Sequence, residues 1–279
     1  MVFLGPALLV YTVFMVYPLL DSLRLSLYDS AGSFAGLDNF RTLLGDAVYS
    51  DRFWNALKNN FIFFLFHFFV QNPVGLLLAA LLTAQGVRGQ NIYRTVIFLP
   101  TTLSVVIVGF VWRQILSPLW GINESALLGE PSTVLPTLSL ISVWQYVGIP
   151  MIFFYAVLIS IPRDLIEAAR VDGASGWRAF WNVTLPLMLP TLGIITIVTF
   201  IGNFNAFDLI FTVKGALAGP DFASDIMGTF FYRTFFGNQL ALGDAAMGAT
   251  VASAMFIIIL VGLLVYTFSW HRRVATYEF

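Results

Sequence analysis

Residues 245–271 read AAMGATVASAMFIIILVGLLVYTFSWH, a run with no Asp, Glu, Lys or Arg. A hydrocarbon core about 30 Å thick needs roughly 20 apolar residues of helix to cross it. From Ala254 to Phe268 the apolar character covers every face rather than one stripe, so this run reads as a transmembrane helix. Five more runs of 18 or more uncharged residues, 1–20, 59–87, 95–112, 131–162 and 179–207, carry the same signature. The six together predict an all-α integral membrane protein in one domain over 1–279. The expected spans are about 3–25, 59–84, 95–116, 138–161, 187–210 and 245–269.

Composition agrees with lipid as the solvent. The chain is 58% hydrophobic and 10% charged, against about 25% charged in a soluble domain. Outer-membrane strands would alternate in polarity over about ten residues, and 10–20 does not. With no Cys, disulfides and thiolate metal sites are excluded. His67 and His271 stand in different segments, and neither Lys58 nor Lys214 lies in a phosphate-loop pattern. Residues 1–20 lack the basic start and cleavage site of a signal peptide and read as the first span, with a basic cytosolic leader missing.

Six spans place both ends on one side. With the ends cytosolic, the inner loops 86–94, 162–185 and 270–279 hold Arg88, Arg94, Arg163, Arg170, Arg178, Arg272 and Arg273. The outer loops 29–52, 117–136 and 211–243 are longer and hold Arg41, Arg52, Lys214 and Arg233. The excess of basic residues in short inner loops orients both termini to the cytosol.

The long inner insertion, 161–190, reads IPRDLIEAARVDGASGWRAFWNVTLPLMLP. Pro162 suits a first helical position, Asp164 the positive helix end and Gly173 a terminator, which predicts a short helix over 162–172. Ser175 can cap a second over 175–181, with Pro186 marking the turn into the fifth span. Leu165, Ile166, Trp177, Phe180 and Trp181 beside Ala168 and Ala169 are unexpected in a solvated loop. Composition alone leaves two readings: an aromatic docking surface for a cytosolic partner, or packing against the chain's own helices.

Glu167-Ala168-Ala169, then Gly173, then Val183-x-Leu185-Pro186 resembles the EAA loop of ABC importer permeases, with Val where Ile is common. Asp172-Gly173-Ala174 is similar to the carbohydrate branch, the maltose and glycerol-phosphate type. Gly36-Leu37-Asp38-Asn39-Phe40, Tyr93-Arg94, Leu99-Pro100, Gly121-Ile122-Asn123 and Asn203-Phe204-Asn205-Ala206-Phe207-Asp208 extend the likeness. An outer T-x-G-G-P element is present only in the altered form 214–220, KGALAGP. The resemblance implies a permease subunit in a prokaryotic cytoplasmic membrane, non-catalytic, forming half of a path for a sugar or sugar derivative. Its implied partners are a second permease in a heterodimer, two ATPase subunits that bind ATP and Mg²⁺, an extracytoplasmic solute-binding protein and membrane lipids; no nucleic acid is expected. ATPase coupling would rest on Glu167, Ala168, Ala169, Asp172, Gly173, Trp177 and Pro186.

Polar groups at membrane depth usually face a bundle interior or a watery path. Thr196, Thr199 and Asn203 fall on one stripe of the fifth span. Thr199 and Asn203 match positions where similar sugar permeases contact ligand, and Asn205 joins them as a candidate. Interhelical hydrogen bonding needs the same residue types. Trp144, Gln145 and Tyr146 in the fourth span offer an aromatic face with hydrogen-bonding groups, suited to a sugar ring or to an interfacial belt. His67, Gln71 and Asn72 receive no role. The small residues Ala245, Ala246, Gly248, Ala249, Ala252 and Ser253 favour close helix packing. The rival readings are a secondary transporter of a small polar solute and a membrane enzyme on lipid-linked substrates. The first usually needs buried ionisable groups, and Asp208 is the only acid near mid-span; the second needs clustered acids, His or Lys, which the sequence lacks.

Overall fold

The computed structural model describes residues 4–84, 87–120, 127–238 and 241–274. The Gly121-Ile122-Asn123 match falls outside the described residues, as do the side chains of His271, Arg272 and Arg273. In chain order the main helices are α1 (Gly5–Leu25), α2 (Asp38–Gly45), α3 (Ala47–Thr83), α4 (Gln90–Thr102), α5 (Val105–Ile115), α6 (Pro131–Tyr146), α7 (Gly148–Ser160), α8 (Arg163–Val171), α9 (Gly176–Lys214, interrupted at 205–207), α10 (Met227–Phe236) and α11 (Ala245–Val274). Among the described residues, α1, α3, α9 and α11 are each long and apolar enough to cross a bilayer. The pairs α4–α5 and α6–α7 qualify together, bent by 92° and 44°, giving six spans where each pair crosses once.

Prolines shape these helices in a repeated way. Three π-helical turns, Thr12–Val16, His67–Gln71 and Phe180–Thr184, each end two residues before a proline: Pro18, Pro73 and Pro186. A helical proline has no N–H, and its ring collides with the carbonyl four residues back. Widening the turn draws that carbonyl aside. The residue before each proline then donates to the fifth carbonyl back, Tyr17 to Thr12, Asn72 to His67 and Leu185 to Phe180. The turn expected at Pro186 is therefore absent: the chain stays helical from Gly176 through the π turn into Leu185–Phe204.

Pro100 acts differently. Helix α4 stops at Thr102, Leu103 is extended, and α5 departs at the 92° bend. Buried Gln145 of α6 satisfies one freed group, donating through Nε2 to the Leu103 carbonyl at 3.2 Å, and the Thr101 hydroxyl in turn donates to the Gln145 carbonyl at 2.8 Å. At its other end α3 begins at Ala47, well before the charge-free run, and carries Asp51, Arg52 and Lys58. A helix needs an apolar composition only inside hydrocarbon, so charge counting marks the membrane portion and misses the extension.

The chain forms two compact units, one of residues 1–60 and 204–260 and one of 61–203 and 261–279. In the first, Leu43, Phe53, Ala56, Met227, Phe230, Met247 and Val251 make the core. Asn39 closes the C-terminal end of α1 by donating to the carbonyls of Ser26 and Tyr28. Gly248 lets α11 lie directly on α10, because a Cβ there would stand 2.6 Å from that of Phe235.

In the second unit Ala79, Leu82, Met151, Phe154, Ile161, Met188 and Ile195 form the core. Here α7 is held between α3 and α4 by two close approaches. A Cβ on Gly75 would meet Pro150 at 2.9 Å, and one on Gly148 would meet the Phe98 Cα at 2.9 Å. Because backbone, which cannot swing aside, blocks the second site, Gly148→Ala should lower the unfolding free energy by about 1–3 kcal/mol, the usual range for overpacking. Gly202→Ala has open space around it and should be neutral or stabilising, since Gly costs about 0.5–1 kcal/mol in a helix. Thermal unfolding in detergent distinguishes the two variants.

Candidate functional site

The segment from Arg163 to Ala179 is a helix, a glycine turn and a second helix. Gly173 has φ +83°, a conformation other residues adopt at a cost. Its N–H donates to the Arg170 carbonyl at 3.0 Å and that of Ala174 to Ala169 at 2.9 Å, the double bond of a Schellman ending. Ser175 accepts from the Arg178 N–H at 3.4 Å and starts the next helix. Ile166 and Ala179 turn inward, Ile166 against the core of the second unit.

The other side faces outward. Glu167, Ala168, Asp172 and Gly173 are exposed, and Ala169 and Pro186 are half-buried. Among the described residues Glu167 has no ion pair. Val171 is 88% and Trp177 71% exposed, with Leu165 and Trp181 about half exposed. Trp177, Phe180 and Trp181 form a mutual ring cluster with centroids 5.5–6.4 Å apart. The reading in which this apolar bulk merely packs on the chain's own helices therefore holds for Ile166 and fails for Trp177. An exposed carboxylate, small alanines and an aromatic cluster on one helix pair are suited to receive another protein.

The polar residues of the spans fall into separate places. Thr199 and Asn203 are buried; Thr199 exchanges 3.3 Å hydrogen bonds with Asn72, and Asn203 donates to the Thr199 carbonyl at 2.7 Å. His67 Nε2 lies 2.9 Å from Ser142 Oγ, and its Nδ1 lies 2.8 Å from the Phe63 carbonyl. Trp144 is 44% exposed and stands edge-on to Trp112, Tyr146 is half-buried, and Gln145 is the fully buried patch at the α4–α5 break. Asn205 belongs to the other unit, where it lines a cavity of about 510 Å³ with Phe207, Phe231 and Tyr232 among others. The structure thus joins Thr199 to Asn203. It also brings Asn72 to Thr199, and the presence of a polar Asn in a charge-free run was the available signal.

Outside the spans, residues 215–226 form a loop held on several sides. Asn55 and Asn59 donate to the carbonyls of Phe222, Ala223 and Asp225, and Asn60 accepts from the Met227 N–H. Arg233 makes a two-pronged pair with Asp225 at 2.6 and 3.1 Å and donates to the Ala216 carbonyl. The Arg52 and Arg233 guanidiniums lie 3.6 and 4.8 Å from the Phe222 ring centre. Burial pushes the Asp225 carboxyl up, opposed by Arg233, the Thr229 hydroxyl and Arg52. Loss of one partner would strand a buried charge, at a cost of about 3–5 kcal/mol. Arg233→Met should therefore unfold at markedly lower denaturant, and pairing it with Asp225→Leu should restore much of the loss.

Residues 71–274 match the family of the binding-protein-dependent transport system inner membrane component. The lactose transport system permease protein LacF of Rhizobium radiobacter is 32% identical over 92% of this chain and 90% of its own length. A probable starch degradation products transport system permease protein, AmyD of Thermoanaerobacterium thermosulfurigenes, is 30% identical over 97% and 93%. Among solved structures, a chain of a bacterial ABC transporter involved in import of the acidic polysaccharide alginate superposes with a TM-score of 0.79 at 23% identity, covering 97% of this chain and 94% of that one. At that identity the likeness speaks for the fold.

Proposed function

Because the chain belongs to the family of binding-protein-dependent transport system inner membrane components, we propose that it is one of two permeases in an ATP-driven importer of a sugar or sugar derivative. Relatives whose names specify lactose, starch products and alpha-glucosides support a carbohydrate cargo. In this reading the chain crosses the membrane six times with both ends cytosolic. A different permease completes the path as a heterodimer, and an extracytoplasmic binding protein delivers the solute.

The helix pair at 163–179 carries the proposal. It presents Trp177 and Val171 to water, a cost that a covering partner removes. The partner is an ATPase subunit: its groove takes the ring cluster, and one of its basic residues pairs with Glu167. ATP and Mg²⁺ belong to the two ATPase subunits, and this chain supplies no catalytic group. Closure of the ATPases moves the pair as a lever. Its second helix continues without a break into the membrane portion of α9, so displacement at Trp177 reaches Thr199 and Asn203, the proposed sugar contacts.

The test is ATPase activity of the complex with its partners in lipid, with and without loaded binding protein. Glu167→Ala should weaken stimulation tenfold or more, since truncating one member of a buried interfacial charge pair costs about 2–5 kcal/mol. Glu167→Arg should abolish it while membrane insertion persists. Stimulation unchanged in both variants would sink the coupling role. A screen of sugars for thermal stabilisation of the binding protein identifies the cargo independently.

A further inference from the structure

A cleft of about 490 Å³ opens beside the start of α4, between it and α7. Asn91, Arg94 and Tyr155 gather at one end, and Phe98, Leu99 and Ile152 continue it about one helical turn further along. Arg94 lies over the Tyr155 ring, 4.5 Å from its centre, and donates through Nη2 to Asn91 Oδ1. Its Nε–H is buried without an acceptor, and among the described residues Arg94 has no ion pair. A guanidinium carries five donors, so most of its capacity is unspent. An ionisable side chain at the edge of a span is expensive unless an anion or water meets it. The surroundings argue for an anion with an apolar tail, because Leu99 is 55% and Ile152 38% exposed, and Ile92 and Val96 nearby are still more open.

We propose that this cleft binds an anionic phospholipid, its phosphate on Arg94 and Asn91 and an acyl chain along Phe98, Leu99 and Ile152. A bare inorganic anion satisfies the charge and leaves the apolar half uncovered. A neutral lipid covers that half without a net charge for Arg94. One molecule with both parts meets both demands, and a basic pocket between spans is the usual seat of an acidic headgroup. The proposal rests on the permease reading for the bilayer itself and for placing the start of α4 at its surface.

The test uses the assembled importer in nanodiscs of phosphatidylcholine with increasing phosphatidylglycerol, read by thermal unfolding and by lipid retained in native mass spectrometry. Phosphatidylglycerol should stabilise the wild type and stay bound. Arg94→Gln, which keeps an amide donor and drops the charge, should need about fivefold more phosphatidylglycerol for the same shift. Leu99→Trp fills the apolar half with Arg94 intact, should also lose retention, and serves where Arg94→Gln fails to assemble. Equal retention in both variants overturns the proposal. So does stabilisation by inorganic phosphate alone, which identifies a soluble-anion site, or no response of the wild type, which means a partner side chain already occupies Arg94. The readout needs neither ATP nor sugar, so it stands or falls apart from the Glu167 measurements.

Discussion

A peptide N–H or carbonyl left unpaired in hydrocarbon costs several kcal/mol, so every membrane segment must close its own hydrogen bonds. This chain meets that constraint while placing prolines inside its spans. Before Pro18, Pro73 and Pro186 the helix widens by one π turn and continues. After Pro100 it gives way, and the Gln145 side chain takes up the open Leu103 carbonyl while the Thr101 hydroxyl donates to the Gln145 carbonyl. The two solutions have different mechanical results: a widened turn keeps a rod in one piece, whereas a break patched by a neighbour ties the two half-helices to that neighbour.

The few charges are concentrated where water or another charge can meet them. Arg233 and Asp225 are buried together where α10 meets the loop 215–226, which Asn55, Asn59 and Asn60 hold. Arg163, Asp164, Glu167, Arg170 and Asp172 lie exposed in and just after α8. Between these extremes, interior polarity comes from uncharged pairs such as Asn72 with Thr199 and His67 with Ser142. Neutral pairs hold helices together at less desolvation cost than ions would.

Much of this was readable from residue order, because local rules set it. Charge-free runs overlap the four long apolar helices and the two bent pairs, and Gly173 and Ser175 marked the glycine turn and the cap that the structure contains. What escaped depended on partners distant in sequence. Gly75 and Gly148 look like weak points in helices until Pro150 and Phe98 are brought against them. Gln145, an aromatic-flanked candidate for sugar contact by composition, is committed by a backbone break 42 residues earlier. The acceptors of Asn55 and Asn59 and the donor to Asn60 lie more than 160 residues away, where no local rule points to them. Pro186 misled for a different reason: proline has two compatible outcomes in a helix, the break that follows Pro100 and the widened turn that precedes Pro186.

The π turns also alter how spacing translates into direction. Each holds about one residue more than the α turn it replaces, and one residue is about 100° of rotation. Positions on either side of Phe180–Thr184 or His67–Gln71 therefore share a face at separations one greater than a regular helix allows. Each turn acts as a phase shift, re-aiming the stretch that follows without bending the rod sharply or lengthening a loop. Deleting a single residue within such a turn would rotate everything beyond it by about 100° and bring the carbonyl four residues before the proline back against its ring.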